Sequence, residues 1–307
     1  MGRYVIRRLL QMIPVFIGTT FLIFVMVHAL GDPVNALFGD RAPDPAVAEQ
    51  IREQYNLNDP LWLQYLKYMG KLFRWDFGTT FSGQSVTSLL ATAFPTTLKL
   101  TAVAFSIEVL FGIGLGLLSG LRRGAFADNG VLILTLVVIS IPTFVTGYVL
   151  QYLFGVKWGV APATVGDQVT LGRLILPGVV LASVSLAYVA RLTRTTVVEN
   201  ARADYVRTAV AKGLPRRRVV VNHLLRNSLI PVVTFLGTDL GALMGGALVT
   251  ERIFNIHGVG YYLYQGIVRQ NTSTVVGFVT ILVIIYLVAN LLVDLLYAVL
   301  DPRIRYA

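Results

Sequence analysis

The sequence predicts an all-α polytopic membrane protein with six transmembrane helices, and three observations carry that prediction. Of the 307 residues, 55% are hydrophobic and 14% charged, against about 25% charged in ordinary soluble domains. The stretches between charges repeatedly reach the roughly 20 mostly apolar residues that a spanning helix needs to satisfy its backbone internally. The formal net charge of +10 is concentrated in a few segments of this apolar chain. Basic and water-soluble would suggest nucleic acid; basic and apolar points to charged loops on one side of a bilayer, and no nucleic-acid partner is expected.

The first span reads as Leu9 to Leu30. It follows Arg3, Arg7 and Arg8, as the apolar core of a secretory leader does, but it is longer than the ~7–15 residues of such a core, so it is taken as retained. The second runs from Leu98 to Gly120, interrupted by Glu108, and the third lies between Asp128 and Lys157. A fourth fits between Arg173 and Arg191. The fifth, between Arg226 and Glu251, contains Asp239, and the sixth, Val275 to Leu300, contains Asp294. Pro14, Pro142 and Pro177 fall in or at the ends of spans, where neighbours can re-satisfy a kinked backbone.

Six spans place both termini on one side. With that side cytoplasmic, residues 1–8, 121–130, 191–228 and 301–307 hold sixteen of the 26 Lys and Arg and four acids, nine of those bases within 191–228. This is the asymmetry of the positive-inside rule. The organisation that follows is an N-terminal end and first helix (1–30), an extracytoplasmic segment (31–95), a five-helix core (96–300) and a cytoplasmic tail (301–307). The extracytoplasmic segment carries Pro- and Asp-rich turns and two short helix candidates, Ala46 to Tyr55 and Leu61 to Arg74; it is too short for a core of its own. Within the five-helix core, residues 191–228 read as a projecting finger. A helix runs from Arg191 through Lys212 without Gly or Pro, Gly213-Leu214-Pro215 stops it, and a second helix starts near Arg216.

Chemistry of the usual kinds has little to stand on. The chain has no cysteine, and His28, His223 and His257 are scattered without ligand-like spacing. The only Gly-Lys pair, Gly70-Lys71, is followed by Leu72, so no phosphate-cradling loop is present. No catalytic, cofactor or metal site is expected.

The finger carries a family pattern. Asp204-Tyr205-Val206-Arg207-Thr208-Ala209-Val210-Ala211-Lys212-Gly213-Leu214, followed by His223-Leu224-Leu225-Arg226-Asn227-Ser228-Leu229-Ile230-Pro231, resembles the cytoplasmic loop of ATP-binding-cassette importer permeases, in particular the dipeptide and oligopeptide subunits. In that family the loop follows Glu-Ala-Ala, three residues, Gly, nine residues, Ile-x-Leu-Pro. Arg207, Thr208 and Ala209 stand at the first three positions here, and His223 at the Ile position. The N-terminal Arg-Tyr-Val-Ile-Arg-Arg-Leu-Leu, Trp75-Asp76-Phe77-Gly78 and Leu300-Asp301-Pro302-Arg303-Ile304-Arg305 extend the likeness over the whole chain. Glu251 to Gly260 resembles a loop that commonly has Pro-Gly-x-Gly, with His257 at the Pro position, where a solvated turn is expected.

The resemblance implies a type I importer permease forming half of a translocation pathway for short peptides. It implies four further kinds of partner. These are a second, homologous permease subunit, two ATP-binding subunits or domains that hold ATP and Mg, an extracytoplasmic peptide-binding protein, and the lipid of a prokaryotic inner membrane. A coupling helix around Asp204, Tyr205, Arg207, Thr208, Ala209, Lys212 and Gly213 would dock on the ATPase, with Ala203, Ala209 and Ala211 small enough for close approach. The alternative class is an ion-gradient-driven transporter using Asp239 or Glu108, although the internal repeat usual in such folds is not found.

Two stripes of glycines at four-residue spacing, Gly112, Gly116, Gly120 and Gly237, Gly241, Gly245, suit close helix approach, within this bundle or against the second permease subunit. Asp239 falls nearly opposite its stripe at ~100° per residue. An intramembrane carboxylate needs water or a partner, so Asp239 is assigned either to the pathway, meeting a peptide's positive end, or to an internal hydrogen bond. Glu108 is expected to pair with a nearby base and Asp294 to reach the cytoplasmic interface.

Overall fold

The computed structural model describes residues 2–29, 34, 44–54, 56–80 and 82–300. Asp32-Pro33, Pro43, the Asp294 side chain and the 301–307 tail lie outside them. Eleven helical stretches follow one another among the described residues: α1 Gly2–Ala29, α2 Pro45–Gln54, α3 Leu61–Leu72, α4 Val86–Leu121, α5 Phe126–Ser140, α6 Thr143–Lys157, α7 Leu171–Asn200, α8 Asp204–Ala211, α9 Arg216–Ile253, α10 Val259–Val268 and α11 Thr272–Leu300. Five of them (α1, α4, α7, α9 and α11) are long and apolar enough to cross a membrane, and the pair α5–α6 makes a sixth crossing if taken as one.

That third crossing differs from the straight helix expected between Asp128 and Lys157: α5 and α6 meet at 103°. Pro142 is the cause. It has no N–H to continue the helical ladder, and it forces the residue before it out of the α region; Ile141 is extended, at φ −99° and ψ 126°. Pro14, Pro95, Pro177 and Pro231 lie inside their helices without breaking them. The second span begins at Val86, so residue 95, taken as the end of the extracytoplasmic segment, falls within a helix. The fourth also outruns its expected limits, continuing past Arg191 to Asn200.

α7 is the central element, with α4, α5, α6 and α9 packed on it. Its seam with α4 follows the first glycine stripe. A Cβ on Gly112 or Gly120 would meet the side chain of Val189 or Val197 at 2.7 Å, and one on Gly116 would lie 2.5 Å from both the Ala190 carbonyl oxygen and Thr193 Cβ. Backbone cannot yield as a flexible side chain can, so Gly116→Ala is expected to force the helices apart at about 1–3 kcal/mol. Gly114→Ala, on the open face with nothing near, is the control. A thermal melt of the purified protein in which both variants match the parent would contradict this account. Of the second stripe, Gly241 packs on Tyr286 of α11, whereas Gly245 faces open space.

The two largest apolar cores among the described residues lie along the bundle. One joins α1, α3, α4, α10 and α11 through Phe24, Tyr65, Val86, Leu263 and Phe278. The other joins α4, α7 and α9 through Leu100, Val180 and Leu243, and receives Phe254 and Ile256 from the turn after α9.

Candidate coupling finger and intramembrane carboxyls

The finger is built from the end of α7, α8 and the start of α9. The continuous helix expected from Arg191 to Lys212 is interrupted at residues 201–203, where Ala203 turns extended at ψ 147° and its carbonyl oxygen accepts the first bonds of α8, from the N–H groups of Val206 and Arg207. The Tyr205 hydroxyl reaches back 2.5 Å to Asn200 Oδ1 across the corner. At the other end, Gly213 sits at φ +73°. Its N–H bonds the Val210 carbonyl at 2.9 Å and that of Leu214 bonds Ala209 at 3.3 Å, the paired closure of a Schellman motif for which glycine is favoured.

Val206 and Ala209 face inward, buried against Val197, Val219 and Leu224. Ala209 was expected on the docking side, with its small size serving a partner; it serves the finger's own core instead. Inward Val206 and Ala209, three apart, leave Asp204, Arg207, Thr208 and Ala211 on the outward face, and all four are exposed. Arg207 makes a solvent-exposed 3.6 Å ion pair with Asp204. Tyr205 and Lys212 are exposed as well.

The base of the finger is clamped by a buried cluster that the sequence did not reveal. Asp128, at the start of α5, accepts two bonds from Arg194 of α7, Nε at 2.6 Å and Nη2 at 2.9 Å. It also accepts the Ser119 hydroxyl from α4 and the Gly124 N–H from the intervening turn. Three helices and a loop thus share one carboxylate.

Within the bundle, Glu108 opens a π-helical turn, Glu108–Gly112, inside α4, and is 0% exposed. Among the described residues no base pairs with it as expected: Glu108 faces Asp239 of α9, which also faces the Ser185 hydroxyl of α7. Among the described residues, the Glu108 oxygens and Asp239 Oδ2 find no hydrogen-bonding group besides each other. The structure therefore brings together the two carboxyls that the sequence had separated. It places them away from the Gly241 contact with α11, as the angular argument required.

At the end of α9 remote from the finger, Glu251 is fully buried. It accepts the Thr97 hydroxyl at 2.6 Å and the Tyr261 N–H at 3.0 Å, while Thr97 Oγ1 accepts the Val259 N–H at 2.8 Å. These bonds satisfy free donors at the start of α10, where a negative charge is also favoured. A Cβ on Gly258 would collide with the Glu251 carboxylate and one on Gly260 with the Leu248 backbone, so both glycines are demanded by close approach. His257, expected in a solvated turn, pairs there through Nδ1 with the exposed Asp167 at 2.7 Å and packs on Tyr261 with ring centres 4.7 Å apart. The loop ahead of α7 is further pinned by Val165 N–H to Phe254 O at 2.9 Å and by Gln151 Nε2 of α6, which donates to Ala163 O at 2.7 Å and to Ile253 O at 2.8 Å.

A helical bundle of five or six crossings, with a short amphipathic helix folded back at one end on a finger of its own, defines a multi-pass membrane protein of the transport-permease class. The chain belongs to the family of binding-protein-dependent transport system inner membrane components, whose model matches residues 112–306, and the N-terminal model for such membrane components matches residues 1–101. Among its curated relatives are the di/tripeptide transport system permease protein DppB of Pseudomonas aeruginosa and the oligopeptide transport system permease protein AppB of Bacillus subtilis. The first is 35% identical over 99% of this chain and 98% of its own; the second is 35% identical over all of both. The dipeptide permease DppB of Escherichia coli K12 is also 35% identical, over 100% of this chain and 99% of its own. A solved structure, described as an amino acid ABC transporter with histidines, shares the fold at a TM-score of 0.55 and 17% identity, covering 68% of this chain and 93% of its own. The ion-gradient-driven alternative finds no support in these matches.

Proposed function

We propose that this permease conducts short peptides across the cytoplasmic membrane of a prokaryote, with both termini and the finger in the cytoplasm. It forms half of the pathway beside a second, homologous permease subunit. Two ATP-binding subunits, which hold ATP and Mg, dock on the outward face of α8, and an extracytoplasmic binding protein delivers the peptide. The observation that carries this reading is the end-to-end match to permeases named for di-, tri- and oligopeptides. The excess of basic residues in 1–8 and 191–228 supports the orientation.

In this reading Asp239, backed by the fully buried Glu108, borders the pathway and meets the cationic end of the peptide. Two carboxyls facing each other in the bilayer without a cation are costly to ionise, and a passing ammonium group relieves that cost. Asp239→Asn is therefore expected to lower uptake of tri-alanine by about tenfold, equivalent to about 1.4 kcal/mol, with the importer still assembled. Unchanged uptake in an intact complex would remove Asp239 from the pathway. Absence of any ATP-dependent peptide uptake by the parent importer would sink the substrate assignment itself.

A further inference from the structure

At the end of the bundle remote from the finger, a cleft of about 600 Å³ opens between α10 and the turn that precedes α4. One wall is a single row of side chains: His257, Tyr261, Gln265 and Arg269 all line it. The spacing of four repeats along the row, which from Tyr261 onward keeps these residues on one helical face. Gln84 stands among the lining residues of the facing turn. The row grades from aromatic to cationic. The Tyr261 ring packs on His257 at 4.7 Å and meets Tyr262 edge-on at 5.6 Å, which fixes it as a wall.

Beyond it, the Gln265 side-chain amide and the Arg269 guanidinium line the cleft with no hydrogen-bond or ion-pair partner among the described residues. Arg269 is the cation of this lining and no Asp or Glu belongs to it. A cleft of this volume is of the size that encloses small ligands. Its free groups call for an anion at one end, an amide-bearing chain along the middle and an apolar or aromatic group at the other.

From these features we infer that the cleft is a peptide-receiving subsite, at which Arg269 takes the C-terminal carboxylate, Gln265 the peptide backbone and Tyr261 a side chain. The inference rests on the peptide reading above and adds a place and a polarity to it. The lengths agree: from Tyr261 to Arg269 is eight residues of helical rise, about 12 Å at 1.5 Å each. Extended peptide advances about 3.3 Å per residue, so three or four residues fill that distance. A guanidinium offers a carboxylate two parallel donors, a geometry that an ammonium group cannot match.

The natural absence of cysteine makes the test direct. Gln84→Cys, with Ser82→Cys as a second reporter on the same turn, is introduced into the assembled importer in proteoliposomes. Modification of this chain by a membrane-impermeant thiol reagent is timed without the binding protein, with the binding protein alone, and with the binding protein plus tri-alanine at ten times its half-saturating concentration. Tri-alanine is expected to slow modification by about tenfold, the fraction of sites left free by mass action. In an Arg269→Gln background the protection is expected to need about tenfold more peptide, the loss of one charge-assisted pair. Equal rates with and without peptide at both reporters overturn the proposal, as does protection by the empty binding protein alone, which makes the cleft a protein-docking surface. Protection that Arg269→Gln leaves untouched overturns the assigned polarity. ATP-dependent uptake of tri-alanine is measured in the same vesicles: uptake without protection removes the subsite and leaves the peptide reading standing, while absence of uptake removes both.

Discussion

Replacing Thr208 by Arg together with Ala211 by Glu is expected to strip the ATP-binding subunits from the purified importer and reduce ATP-dependent uptake to background, while the permease itself stays folded. Both residues lie on the outward face of α8 and are exposed, so neither change disturbs the finger's interior. Small side chains at a docking helix set how closely a partner can approach. Two long charged ones hold it off and leave charges to be desolvated in the contact. Loss of a central anchor in a protein interface commonly costs about 2 kcal/mol or more, about thirtyfold in affinity. Co-purification quantified against a melting curve of the same sample separates the outcomes. Full retention of the ATPase at unchanged stoichiometry would end the assignment of this face. Ala209→Glu fails differently: it places a charge among Val197, Val206 and Leu224, so the permease itself loses stability before any partner is lost.

That contrast marks where the sequence was legible. The finger's stop could be read because Gly213 and Pro215 are local signals, and the structure ends α8 at that glycine with a positive φ. The break at residues 201–203 carries no such signal. No Gly or Pro stands there, and the corner is held by a hydrogen bond from Tyr205 to Asn200 that becomes visible only in three dimensions. Pro142 was visible, but the size of the bend was not, since a helix absorbs some prolines without breaking, as α7 absorbs Pro177.

Buried polar partners were the least legible. Thr97 and Glu251 are 154 residues apart, Asp128 and Arg194 are 66 apart, and no periodicity links such pairs. Glu108 and Asp239 were each recognisable as expensive residues in an apolar stretch, but their meeting depends on how α4 and α9 pack around α7. The signal available was the cost itself: a charged residue within a span asks for a partner, without naming it.

The same reasoning gives Asp128 the largest effect on the fold. Its side chain is 2% exposed and that of Arg194 22%, so removing the carboxylate leaves a largely buried guanidinium without the acid that holds it. Asp128→Ala is expected to destabilise the protein by about 3–5 kcal/mol, the range for breaking one partner out of a buried pair. The double change Asp128→Ala with Arg194→Leu removes both charges and is expected to recover most of that loss. Thermal unfolding of the three proteins side by side measures it. A double variant no better than the single one would mean that the lost bonds to Ser119 and Gly124, and not the stranded charge, set the cost. The cluster also joins the finger's root on α7 to α4 and α5. In the double variant, stable but without its clamp, the finger is expected to keep the ATPase while hydrolysis runs without matching peptide uptake. Uptake per ATP equal to that of the parent would show that motion reaches the spans by another route, along the continuous helix α9.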